Sequence, residues 1–146
     1  MDKYKRQVNK IKRVEGKINE HLYTLTAIIT LVTMALTVTE FFGRGAFLPA
    51  DMGLFYLGVL LIYSVHKEMV RWLGKRKVER QGEYFVYGWI ALTTVLYIVN
   101  FLSNGYFTYN GEYLSSLRNV SVLTVEVLAV FILTRCLKIL KIILIK

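Results

Sequence analysis

Residues Thr24–Phe42 read TLTAIITLVTMALTVTEFF, a stretch in which Glu40, near its end, is the one charged residue. A helix needs about 20 mostly apolar residues to cross a bilayer. With its flanking apolar residue Leu22, this stretch meets that requirement, and we predict a transmembrane helix over residues 22–42. Three further apolar segments predict spans over residues 52–73, 84–103 and 119–141. Little sequence remains outside them, which predicts a single membrane domain over residues 1–146.

Four of the six threonines in this stretch form a line along one helical face. These four are Thr26, Thr30, Thr33 and Thr37, which are spaced 4, 3 and 4 residues apart. Glu40 and Arg44 continue the same spacing. At 100° per residue these positions share one side of a helix. The threonines can pack between helices, with hydroxyls bonded back to their own helix or across to another. Alternatively they line water, either in a pore shared by a homo-oligomer or in a polar track inside one bundle.

A second polar line is predicted in the span over residues 84–103. Trp89, Thr93, Tyr97, Asn100 and Asn104 fall on one face by the same spacing. An asparagine inside a span is costly unless its amide finds partners, so Asn100 should face protein or water. The two lines either face each other and hold helices together, or border a hydrated path.

Glu126 is the acidic residue that lies inside the span over residues 119–141. A carboxylate within a membrane indicates a functional site by default. The other interpretation places Glu126 near the outer interface, within reach of Arg118 or Arg44. We leave these two interpretations side by side.

The distribution of basic residues predicts the orientation of the chain. Of 19 Lys and Arg residues, seven precede the first span, six lie between the end of the second apolar run at Val65 and the start of the third span, and four follow the end of the last apolar run. The positive-inside rule therefore places both termini in the cytoplasm of a plasma or inner membrane. Anionic lipid headgroups attract such segments, and the expected contacts come from seven residues: Lys10, Lys12, Arg13, Lys17, Arg135, Lys138 and Lys141.

The first 21 residues predict a basic amphipathic helix, with Ile11, Val14 and Ile18 on its apolar face. Such a helix lies on the membrane surface or continues straight into the first span, and its apolar spacing also allows a short coiled coil. Near the other end of the bundle, Asn110-Gly111 between aromatic residues is typical of a hairpin turn. We therefore also predict a small outer β-hairpin.

Several classes of function lack sequence support. The single cysteine, Cys136, excludes an internal disulfide or a CxxC pair. The two histidines have no neighbouring ligands for a metal site, and no catalytic or phosphate-binding motif is present. We therefore expect neither an enzyme nor a cofactor, and the absence of a recognisable module predicts no binding to nucleic acid.

Four spans, two cytoplasmic termini, and Arg135, Lys138 and Lys141 at every third position resemble a voltage-sensor domain in topology. That family carries cations through the middle of its fourth helix, facing acidic partners in the second and third. Here the cations begin only where the fourth span ends, and the span over residues 84–103 holds no acidic residue. The resemblance is one of topology, and no motif accompanies it.

The sequence thus predicts an all-α integral membrane protein with a bundle of four transmembrane helices. The expected function is that of a small homo-oligomeric pore or channel for ions or small solutes, lined by the threonines of the first span. The alternative is a non-enzymatic scaffold or accessory subunit that binds lipid or a partner protein through its basic cytoplasmic face.

Overall fold

The computed structural model describes residues 2–43, 51–72, 82–106 and 115–144; within its helices, the side chains of residues 2–5, 12, 115, 141, 142 and 144 are not described. It contains four α-helices: α1 Asp2–Gly43, α2 Asp51–Trp72, α3 Gly82–Leu102 and α4 Ser115–Leu144. The described part of the chain has no strand. The hairpin predicted around Asn110-Gly111 and the position of Arg44 lie outside the described residues.

Helix α1 is continuous over 42 residues and would be about 63 Å long at 1.5 Å per residue. It contains no proline, and Gly16 is the one glycine ahead of the first span. The amphipathic segment therefore continues straight into the span, which is one of the two arrangements that its sequence allows. Its apolar residues Ile11, Val14 and Ile18 are 54%, 49% and 40% exposed.

The other helices begin and end close to the predicted spans. Helix α4 begins four residues before the predicted span and ends three residues after it, because no glycine or proline interrupts residues 115–144. By length and composition, all four helices could cross a membrane. The structure thus supports the all-helical membrane architecture.

The four helices pack as two antiparallel pairs. Helix α1 packs mainly on α2 and α3 mainly on α4, while contacts between α2 and α4 join the pairs. Large aromatic side chains fill the core, among them Tyr56, Tyr63 and Trp89, each at most 1% exposed. Apolar side chains on the opposite faces are exposed, as expected for surfaces that meet lipid.

The two ends of the bundle differ in charge. At one end, here called the basic end, lie the ion pairs Glu68–Arg71 and Glu83–Arg135, and His66 lies beside Glu15. At the other, the Glu40 end, α1 finishes and α2 and α4 begin. From Asp51 to Glu68, α2 rises about 26 Å, close to the ~30 Å thickness of a hydrocarbon core.

Candidate functional site

The threonine line of α1 lies inside the chain's own bundle. Thr26, Thr30, Thr33 and Thr37 are 0 to 4% exposed. Each hydroxyl donates to the carbonyl four residues earlier, at 2.7 to 2.8 Å. Those bonds satisfy the hydroxyl protons within α1 and leave oxygen lone pairs facing the neighbouring helices. Thr24 and Thr39 are on the exposed side of the helix.

Tyr56 of α2 crosses the threonine line near its middle. Its hydroxyl lies 3.3 Å from Thr30 Oγ1, and Trp89 Nε1 donates to the same hydroxyl at 2.8 Å. The single proton of the Thr30 hydroxyl already bonds the Thr26 carbonyl, so the Tyr56 proton is the one placed to bond Thr30. The two polar lines therefore meet through Tyr56, which the sequence analysis did not single out.

A partly open cavity of about 300 Å³ begins where the threonine line reaches the Glu40 end. Three helices contribute to it: α1, α2 and α4. Its polar lining is Thr33, Thr37, Glu40, Asn119 and Glu126, and its remaining lining is Gly53, Leu54, Val120, Val122 and Leu123. No Lys or Arg side chain is part of this lining among the described residues. Two carboxylates, without a basic residue among the described lining, make the described part of this cavity acidic.

Glu40 is the most deeply buried acidic residue of this cavity. It is 2% exposed, and its Oε2 is buried with no hydrogen bond among the described residues. A buried carboxylate oxygen without a donor is costly, and such groups are rare in folded proteins. Glu40 thus has one carboxylate oxygen whose donor is not found among the described residues.

Glu126 lies half-buried in the wall of the same cavity. Among the described residues it forms no ion pair with Arg118, which is exposed, and Arg44 lies outside the described part. The structure thus brings Glu126 together with Glu40 and the end of the threonine line. This grouping could not be read from sequence, because it depends on how α1 and α4 pack.

The polar line of α3 faces α4. Thr93 bonds Thr124 at 2.7 Å and Tyr97 bonds Ser121 at 2.8 Å, through their hydroxyl oxygens. Asn100 is 9% exposed, and its side-chain oxygen is buried with no hydrogen bond in the described part of the chain. Thr93 and Tyr97 act as bridges between two helices, and the structure gives Asn100 a protein environment.

The basic end contains three pairs of titratable side chains among the described residues, one between α1 and α2, one within α2 and one between α3 and α4. Arg71 donates to Glu68 at 2.5 Å, Arg135 pairs with Glu83, and His66 lies 3.6 Å from Glu15. The ion pair between Glu68 and Arg71 is one that their spacing of three residues favours. The partner of Arg135 was missed by the sequence analysis, since Glu83 was assigned to the loop before the predicted span.

The residues predicted to contact lipid headgroups fall into three groups. Lys10, Arg13 and Lys17 are exposed along α1. Arg135 is exposed but paired with Glu83, and Lys138 is half-buried. The side chains of Lys12 and Lys141 are not described. Within the described ranges, no three His, Cys, Asp or Glu side chains are grouped as metal ligands.

No protein-family model matches this chain, and neither the curated proteins nor the solved structures contain a significant match to it.

Proposed function

We propose that this chain is a small membrane transport protein that carries a cation, or a small cationic solute, along the threonine line. The observation that carries the proposal is the cavity where Glu40 and Glu126 meet the end of that line. In this proposal each bundle holds its own path, because the threonines face the interior of one chain. Copies of the bundle would associate through their exposed apolar faces.

The threonine hydroxyls suit a passing cation. Hydroxyl oxygens solvate an ion more weakly than carboxylates, so they let it pass without trapping it. From Thr26 to Thr37 the line covers about 16 Å of helix, and the oxygens retain lone pairs although their protons are bonded within α1. The carboxylates then attract the solute at the mouth, and the hydroxyls accompany it inward.

The path is closed in this conformation. Tyr56 and Trp89 are buried, and their hydrogen bond lies across the line at the level of Thr30. Passage therefore requires that the contact between Thr30 and Tyr56 opens. In this closed state the cavity lies on one side of the contact between Tyr56 and Trp89, which is the arrangement expected of a gated channel or a transporter.

The proposal is tested by cation uptake into vesicles that contain the purified protein. Rubidium, methylammonium and choline serve as probes, and chloride serves as the anion control. We expect uptake of at least one cation, about tenfold slower in Glu40→Gln, which removes the buried charge (on the order of 1.4 kcal/mol). Glu20→Gln, on the exposed face of α1, should transport like the wild type. No cation uptake, or equal uptake by Glu40→Gln, would contradict transport through this cavity.

Thr33→Leu separates a conducting line from a purely packing one. Thr33 borders the cavity and is 1% exposed, so leucine there replaces a hydroxyl by a bulkier apolar group. If the threonine line conducts the solute, the Thr33→Leu variant should lose cation uptake while its bundle still assembles. If the line serves packing alone, stability and assembly should fall together.

A second candidate function is that of an accessory subunit that binds lipid or a partner through its basic face. The favouring observation is the amino-terminal part of α1, where exposed Ile11, Val14 and Ile18 lie among exposed Lys10, Arg13 and Lys17. Removal of residues 2–14 should then abolish partner or lipid binding. Under the transport proposal, the same truncation should leave cation uptake unchanged.

A further inference from the structure

The exposed side of α1, opposite the threonine line, carries an apolar stripe that is here called the heptad stripe. Its members form two series, each with a period of seven: Ile11, Ile18, Leu25 and Val32, and Val14, His21, Ile28 and Ala35. The six Ile, Leu and Val side chains among them are 40 to 54% exposed. In heptad notation the two series are positions a and d, and the four buried threonines of α1 fall at positions b and f, on the back of the stripe.

The first part of the heptad stripe lies beyond the membrane. The span predicted for α1 begins at Leu22, and Val14 and Ile11 lie about 12 and 17 Å further along the helix axis. The headgroup layer adds only about 5–8 Å on each side of the hydrocarbon core, and the ordinary tilt of about 20° changes these distances little. Because α1 is one continuous helix here, this segment does not lie flat on the membrane. Lipid therefore does not cover Ile11 and Val14.

The exposed apolar surface of α1 changes width where the helix leaves the membrane. Inside the span, Leu31 and Leu36 are also exposed and widen the surface on both sides of the stripe, as expected where lipid surrounds a helix. Before the span, the residues beside the stripe are charged and exposed, namely Lys10, Arg13 and Lys17. A narrow apolar line with a period of 3.5 residues and charged flanks is typical of a coiled coil.

The two flanks of the heptad stripe are complementary in charge. Lys10 occupies position g, and Glu15 occupies position e five residues later, on the other side of the stripe. In a parallel coiled coil the g position of one helix faces the following e position of the other. Two copies of α1 would thus bring Lys10 of each beside Glu15 of the other. Glu15 lies beside His66 of its own chain, and its side chain is still 31% exposed.

We propose that a second copy of this chain packs on the heptad stripe, parallel and in register. Copies inserted in the same orientation are parallel of necessity, and a twofold axis between them brings each a or d side chain close to its own counterpart. The coiled coil runs from the basic end into the membrane and leaves the threonine line free, since that line is on the opposite side of α1. The proposal concerns association alone, so it can fail while transport through the Glu40 cavity stands.

The proposal is tested by disulfide cross-linking of single cysteines in isolated membranes. After Cys136→Ser removes the native thiol, Ile11→Cys, Val14→Cys and Ile18→Cys are each oxidised with copper phenanthroline and separated on a non-reducing gel. Arg13→Cys is the matched control, because it is exposed beside Val14 but lies outside the stripe. We expect at least about fivefold more linked chains at the three stripe positions, whose counterparts are within reach of a disulfide. Equal cross-linking at all four positions, or none, overturns the proposal.

A charge placed in the heptad stripe separates a stable interface from chance encounters. Val14→Glu is combined with Ile18→Cys, and the yield of linked chains should fall at least about tenfold, because like charges then face each other across the interface. Arg13→Glu introduces the same residue at the neighbouring exposed position and should keep the yield. An unchanged yield with Val14→Glu, or a loss in both variants, overturns the assignment to the stripe.

The purified protein distinguishes a second copy from a different protein as the occupant. Reconstituted in lipid nanodiscs without other proteins, Ile18→Cys should cross-link as it does in isolated membranes, and native mass spectrometry of the wild type should show two chains per particle. Cross-linking that disappears on purification, or single chains in every particle, assigns the stripe to another occupant and overturns the proposal.

Discussion

Glu40 shows, in a single side chain, how a buried acidic group can cost stability. Its Oε2 is buried without a donor among the described residues, in a cavity that holds a second carboxylate. A buried oxygen without a donor lowers the free energy of unfolding by about 1–3 kcal/mol, relative to a hydrogen-bonded or an apolar group. Residues that weaken the fold in this way are typical of functional sites.

We therefore expect Glu40→Met to raise the stability of the protein while abolishing cation uptake. Methionine is unbranched and of similar length, so it can fill the same space and needs no donor. The expected gain in unfolding free energy is about 1–3 kcal/mol, measured by thermal unfolding in detergent. Glu20→Met, on an exposed face, should change stability by no more than about 0.5 kcal/mol. A lower melting temperature for Glu40→Met would show that the carboxylate stabilises the fold.

Between elements, the Met34 side chain of α1 packs against α3 at Gly88, where a larger residue would meet it. A Cβ built there would lie 3.0 Å from Met34 Cε, whereas one built at Gly58 meets no atom within 4 Å. Small residues allow membrane helices to pack closely, and the packing itself supplies the stabilisation.

We predict that Gly88→Val lowers stability by about 1–3 kcal/mol, because its Cβ and methyl groups would have to displace the Met34 side chain that packs there. Gly58→Val is the matched control, since it adds the same side chain to an exposed position on α2. Its effect should stay within about 0.5 kcal/mol. The measurement is the loss of helical signal with increasing denaturing detergent. Similar losses in both variants would contradict close packing at Gly88.

The helices could be predicted from sequence because each depends on local composition: apolar runs of sufficient length, without proline. The threonine line could likewise be placed on one face, since helical periodicity alone fixes which residues share a side. The side chains from other helices that reach the threonine line could not be predicted. Tyr56 and Glu126 reach the line only through the packing of α2 and α4 against α1, and that packing depends on contacts between residues far apart in sequence. Periodicity shows that a face is polar, but not whether it meets water, lipid or another helix.

For the whole molecule, an even number of antiparallel helices places the start of α1 and the end of α4 on the same side of the bundle, and the charge distribution predicts that this side is cytoplasmic. Arg118 at the Glu40 end and Asn9 near the amino terminus are both exposed, so each can be replaced by a single cysteine after Cys136→Ser removes the native thiol. We expect a membrane-impermeant maleimide to label Arg118→Cys in intact cells, and to label Asn9→Cys only after the membrane is opened. The reverse pattern would place the Glu40 cavity in the cytoplasm. In that case the cavity would open toward the inside of the cell. Labelling therefore decides on which side of the membrane the cavity opens.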